Sequence, residues 1–203
     1  MPVIARSMSK SEASSYPTLC AGDGYYLKRL RPEDVSADYA KWLQDPEVIR
    51  YLQVRFEPRD IDSIRAFVAG FDHKDRFIFG IHDAETDRHI GNITLRVNPN
   101  HLFANMGYLI GDKTYWEKGA ALEAVRLILD FAFFERKIRK ILECTTENHI
   151  ASNFNFRRLG FTFEASIPDL YWSDGAYHAA TYWSMDAATW VAIRGHSIDE
   201  VVQ

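Results

Sequence analysis

Cysteine is nearly missing from this sequence: its 203 residues include two, Cys20 and Cys144. Two cysteines so far apart form neither a disulfide framework nor a metal-ligand spacing, and a reducing cytoplasm is the simplest setting for them. Long hydrophobic runs are missing too. No stretch approaches the roughly eighteen apolar residues of a membrane span. The first fifteen residues hold Arg6 and Lys10 without an apolar segment behind them, so they do not read as a secretory signal. There is no excess of positive charge: Lys and Arg number 24 against 28 Asp and Glu. That balance points away from nucleic acid as a partner and leaves room only for a local basic pocket. Internal repeats are absent. What remains is ordinary globular composition, long enough to bury one substantial core.

Residues 1–22 are rich in Ser, Ala and Gly and read as a loose arm. Residues 23–195 read as one domain, and 196–203 as a short tail. Residues 25–30 alternate as a first strand. Arg31-Pro32-Glu33-Asp34 then predicts a helix start, with proline in the first turn and acids at the positive end of the dipole. Tyr39, Trp42 and Leu43 fall on one face of that helix, and Asp45-Pro46 ends it. A second helix fits 61–71. Residues 76–82, 89–97 and 104–111 read as an antiparallel meander. The period turns helical over 119–134. A β-like run over 138–145 follows, then a short helix over 150–159 stopped by Gly160. Strands over 161–167 and 177–185, with a turn at Ser173-Asp174-Gly175, close the domain ahead of a helix over 187–194. The class is α/β (α+β): a mixed sheet with helices on its faces.

The informative segment is 115–124, between a strand and a strongly amphipathic helix. Small residues at Gly119, Ala120 and Ala121 let a ligand approach the backbone. The free N–H groups of a first helical turn and the helix dipole favour an anion there, and Lys118 adds a positive charge. A pyrophosphate fits this arrangement, and a plain helix start fits it equally well.

Several pieces in order resemble the GNAT superfamily of N-acetyltransferases, in the branch that includes ribosomal-protein-alanine acetyltransferases. They are Trp42-Leu43-Gln44-Asp45-Pro46-Glu47-Val48, Ile90-Gly91-Asn92-Ile93, Gly107-Tyr108-Leu109-Ile110, the Trp116–Ala124 segment, Ser152 leading to Leu159-Gly160-Phe161, and Asp174-Gly175-Ala176-Tyr177-His178. The resemblance spans roughly residues 25–190. It implies a mixed central sheet of about six to seven strands with one splayed pair, acetyl-CoA as co-substrate without a metal, and a primary amine as acceptor. Gly119 and Ala121 match the small positions of the family's pyrophosphate loop. Trp116 stands where Gln or Arg is usual, and Glu117 replaces a common glycine. Leu109 and Ile110 would lend backbone groups to pantetheine. Asn148, Ser152 and Arg157 are further cofactor candidates, although Asn148 also suits helix capping with His149 solvated.

Direct transfer needs a deprotonated amine, a stabilised carbonyl oxygen and a proton for the leaving thiolate. The family's usual tyrosine donor falls on Phe156, which has no acidic proton, so Ser152 is the candidate general acid. Asn105 stands where relatives carry a carboxylate. Glu147 and Tyr171 are the base candidates retained, beside Asp169, His178 or an ordered water. Arg55, Phe56, Tyr171 and Trp172 are the expected acceptor contacts. An aromatic and arginine cluster of this kind suits an anionic or sugar-containing amine, and a protein N-terminus less obviously; the acceptor classes open are a small amine, an amino sugar or a protein N-terminus. An exposed strand edge could support a homodimer. The competing reading is a non-catalytic acyl-CoA-binding module of the same fold; thiol release with an amine separates the two.

Overall fold

The computed structural model describes residues 24–195; the expected arm, with Cys20, and the expected tail lie outside the described residues. Seven strands form one mixed sheet in the order β1-β2-β3-β4-β5-β7-β6. In chain order they are β1 (Tyr25–Arg29), β2 (Arg76–Asp83), β3 (His89–Asn98), β4 (Phe103–Ile110), β5 (Lys140–Thr146), β6 (Thr162–Ser173) and β7 (Ala176–Asp186). The helices are α1 (Ala37–Gln44), α2 (Pro46–Ile49), α3 (Ile61–Ala69), α4 (Ala120–Asp130), α5 (Ile150–Arg158) and α6 (Ala187–Arg194). The meander expected from sequence is present as antiparallel β2–β3–β4.

Helix α4 forms where the sequence placed it. Ala120, Ala124, Leu127 and Ile128 bury one stripe against the sheet, and Val125 and Leu129 extend it. Each large side chain so buried contributes about 1.5–3 kcal/mol. The helix ends in a π-helical turn at Phe131–Glu135, closed by Arg136 N–H donating to Phe131 O at 3.0 Å. The opposite sheet face is covered by α1 and α3, with Leu43, Ile64 and Val68 packed on Ile78.

Two boundaries differ from expectation. Arg31-Pro32-Glu33-Asp34 starts only a 3-10 turn, Pro32–Asp34; Val35 is extended, and α1 begins after Ser36, whose hydroxyl accepts from Tyr39 N–H at 3.1 Å. A serine cap one turn on thus overrides the proline signal. Strand β6 runs to Ser173, well past the expected 167, because a bulge with Asp169 at φ 54° lets it resume pairing with β7 at Tyr171.

Some of the residues that carried the family resemblance have a packing reason. A Cβ on Gly111 would sit 2.1 Å from the Trp42 ring, and one on Gly91 would sit 2.3 Å from Leu109 O. The tryptophan on α1 and the two glycines therefore lock α1 and β3 against β4.

Candidate acyl-transfer site

Strands β4 and β5 run parallel, but only Phe103–Lys140 and Ala104–Ile141 are in register. Beyond them the strands part, and one edge of β4 is left without a partner strand. Met106 N–H faces this split and donates to Glu143 Oε1 at 2.5 Å. Backbone groups alternate along a strand, so Tyr108 and Ile110 also turn theirs to the split. Leu109 turns its own toward β3, where it registers with Asn92. Of the two expected backbone contributors, Ile110 therefore faces the cleft, and Leu109 does not. The Ile110 carbonyl is already held by Trp116 Nε1 at 2.8 Å. The indole ties the following loop to the end of β4.

That loop delivers the N-terminus of α4 to the mouth of the split. Gly119 is its N-cap at φ 82°, and a Cβ there would meet nothing within 4 Å. The space in front of the first helical turn is open, and the N–H groups of Ala120 and Ala121 lack intrahelical acceptors by position. Lys118 is exposed, with its ammonium 5.3 Å from the Tyr115 ring centre. Glu117 is also exposed and sits at φ 62°, a left-handed conformation that favours glycine. These features fit a pyrophosphate-bearing cofactor: an anion-binding turn with no side chain across it, next to an unpaired strand edge for an extended arm.

Ser152 lies in the first turn of α5, buried, with Oγ 3.2 Å from Tyr108 OH. Tyr108 was not singled out as functional by sequence. It belongs to a motif whose pattern shows a strand, and nothing in that pattern shows the phenol crossing the split to α5. Burial, more than any neighbouring charge, raises the Tyr108 phenol above its usual range. Phe156 packs in the core against Phe161 and Trp183, and the phenol beside Ser152 arrives from β4. Glu143 is fully buried at the apex of the split. Burial pushes its carboxyl well above the usual range, with the Met106 N–H acting weakly in the other direction.

Asn148 does not cap α5. The N-cap is His149, without a side-chain cap bond. The Asn148 amide donates instead to Ser173 Oγ at 3.1 Å and Asp174 Oδ2 at 3.3 Å. His149 is not solvated: it stacks on Tyr51 at 4.2 Å, and burial lowers its pKa to about 4. Arg157 places its guanidinium 5.5 Å above the Trp183 ring. Glu147 accepts from Ala179 N–H at 2.9 Å and lies 3.8 Å from His178 Nδ1, which ties the end of β5 to β7. Tyr171 places its hydroxyl 3.6 Å from Cys144 Sγ. That contact first, then burial, pushes the phenol up to about 12, the wrong direction for a base.

The expected acceptor contact Arg55 is held by backbone carbonyls, and the neighbouring Arg50 by a carboxylate. Arg50 pairs with Asp174 at 2.8 Å, and Arg55 donates to the carbonyls of Arg50 and Trp172. These contacts clamp residues 50–56 onto the β6–β7 hairpin. Phe56 and Trp172 remain exposed. On the α1 and α3 face of the sheet a cavity of about 560 Å3 reaches β4 at Gly107, Tyr108 and Leu109. Among the described residues, no group of three or more His, Cys, Asp or Glu is placed to hold a metal ion. None of the described helices is long and apolar enough to cross a membrane.

A parallel strand pair opened beside a glycine-capped helix is the arrangement that the resemblance to N-acetyltransferases implies. The family model for the acetyltransferase (GNAT) domain matches residues 25–162, and the chain belongs to that family. The chain is similar to YokL, an uncharacterised N-acetyltransferase of SPbeta prophage origin in Bacillus subtilis strain 168, at 25% identity over 79% of this chain and 89% of YokL. It is similar to the probable N-acetyltransferase YjcK of the same organism at 34% identity over 43% of this chain and 49% of YjcK. Among solved structures, RimL, a ribosomal-protein alpha-N-acetyltransferase in complex with coenzyme A, shares the fold with a TM-score of 0.75 at 15% identity, over 85% of this chain and 99% of RimL. Spermidine N-acetyltransferase from Vibrio cholerae, in complex with CoA and spermine, does so with a TM-score of 0.74 at 17% identity, over 84% of this chain and 99% of that one.

Proposed function

We propose that this chain transfers the acetyl group of acetyl-CoA to a primary amine by direct attack. The observation that carries the reading is the β4–β5 split beside the open N-terminus of α4. The first-turn N–H groups of α4 and Lys118 would hold the pyrophosphate. The N–H of Ile110 and the backbone of Tyr108 would pair with pantetheine along the β4 edge. Acetyl-CoA supplies an activated thioester; everything else is positioning and proton handling.

Tyr108 and Ser152 share a hydrogen bond at the split, and together they form the donor that returns a proton to the sulfur as the C–S bond breaks. A phenol held above its ordinary range still matches a basic alkyl thiolate, and the serine relays between them. The amine loses its own proton to water or to the half-exposed Glu147 carboxylate, since Tyr171 is too weak an acid to ionise. No enzyme nucleophile is required. Thiol release from acetyl-CoA with an amine panel tests the reading. Ser152→Ala and Tyr108→Phe should each lower kcat by roughly ten- to a thousand-fold and leave the acetyl-CoA affinity within about threefold. Parent-level kcat in both variants would remove the pair from the mechanism.

A further inference from the structure

The cavity beside the split is lined mainly by hydrocarbon. Leu43, Val54, Ile64 and Phe67 form its walls, and its floor runs across the sheet from Asn92 on β3 to Leu109 on β4. Only Glu57 and Arg96 bring formal charge to the lining, one of each sign, and both are exposed. A polycationic acceptor needs several facing carboxylates, and a phosphorylated or nucleotide-linked sugar needs facing cations; this cavity offers neither. Arg50, Arg55 and Arg59 are not part of the lining; Arg50 pairs with Asp174, Arg55 donates from its terminal nitrogens to two carbonyls, and Arg59 donates to Leu43 O at 3.3 Å.

One polar group in the lining is unfinished. Asn92 is 4% exposed, its Oδ1 faces His89 Nε2 at 3.0 Å, and its buried Nδ2 has no partner. Buried amide donors are almost always satisfied, so an unpartnered one in a cavity wall calls for a ligand oxygen. Its place sets the ligand's length. Asn92 registers with Leu109, so it stands one strand spacing, about 4.8 Å, behind β4, and the split lies on the far side of β4. An oxygen at Asn92 is therefore several bonds from a nitrogen at the split, farther than the carboxylate of an α-amino acid reaches.

We propose that the cavity binds the body of the acceptor, a primary amine carried on an aliphatic or aromatic hydrocarbon. A hydroxyl or carbonyl oxygen at the far end accepts from Asn92 Nδ2. This rests on the acetyltransferase reading above and narrows its acceptor from amines in general to apolar amines, displacing amino sugars.

The test uses the full chain and two matched probe pairs: tyramine with phenethylamine, and 5-aminopentanol with pentylamine. Spermidine and glucosamine serve as comparators. Thiol release at saturating acetyl-CoA should give the better hydroxylated probe a kcat/KM roughly tenfold above its partner and above both comparators. In Asn92→Leu the advantage within each pair should vanish. Equal rates within both pairs, or a comparator as the best substrate, overturns the proposal. Calorimetry separates this from failure of the catalytic reading. Hydroxylated-probe binding to CoA-loaded protein that weakens about tenfold in Asn92→Leu upholds the cavity even if no thiol is released. Absence of binding by all four probes to protein that binds CoA overturns it. If Asn92→Leu fails to fold, the ratio within each probe pair on the parent protein decides alone.

Discussion

Gly119 offers a sharp perturbation, because its two costs can be separated. Its φ of 82° is a left-handed conformation, so any side chain costs the fold about 1–2 kcal/mol, but an added Cβ meets nothing within 4 Å. Gly119→Ala and Gly119→Asp should therefore destabilise the domain by similar amounts. A domain of ordinary stability, about 5–15 kcal/mol, survives that loss. The aspartate alone adds a charge in front of α4. At about 5 Å from a pyrophosphate, each pair of like charges costs roughly 1–3 kcal/mol for an effective dielectric between 80 and 20. Two phosphate charges then weaken CoA by roughly thirty-fold or more, while the alanine loses only what steric approach to the turn costs. Calorimetric titration of CoA into both variants, with urea unfolding as control, reads this directly. Equal CoA affinities in the alanine and aspartate proteins, both folded, would refute the placement of the pyrophosphate.

Two further outcomes follow from burial and packing. Because Glu143 is held neutral by burial, its contribution to stability is fully present below the unfolded carboxyl value of 4.5. It is lost as pH rises toward the folded value, at up to about 1.36 kcal/mol per pH unit. Glu143→Gln, which keeps the acceptor for Met106 N–H, should flatten that decline, so that its advantage over the parent in urea unfolding grows from pH 5 to pH 8; parallel curves would show that the carboxyl titrates freely. Gly111→Ala places a Cβ 2.1 Å from the Trp42 ring and should cost about 1–3 kcal/mol by overpacking; a wild-type melting temperature would show that α1 yields at no cost.

Most of the fold was legible in the sequence, and part of the candidate site's geometry, for physical reasons. Helix α4 and the β2–β3–β4 meander were legible because each buries one periodic face. The start of α1 was misread because Pro32 and Ser36 both signal helix starts, and only packing selects between them. The open turn at Gly119 was legible because glycine, alanine and helix period coincide there. The Tyr108–Ser152 pair was not, because it joins residues 44 positions apart across a split that no local pattern records. The partners of the arginine cluster were not legible either, for a similar reason. Arg55 reads as an acceptor contact, and in the fold it donates to the carbonyls of Arg50 and Trp172, while Arg50 beside it pairs with Asp174. Charge count near a site says little until the partners are known.

The central claim is that the cofactor lies along the free edge of β4 and ends at the first turn of α4. Amide hydrogen exchange with and without acetyl-CoA measures this at both places at once. The account predicts slowed exchange at Tyr108, Ile110, Ala120 and Ala121, and unchanged exchange in β1 and β2. Binding that leaves those four amides as fast as before, or protects β1 and β2 instead, would contradict it.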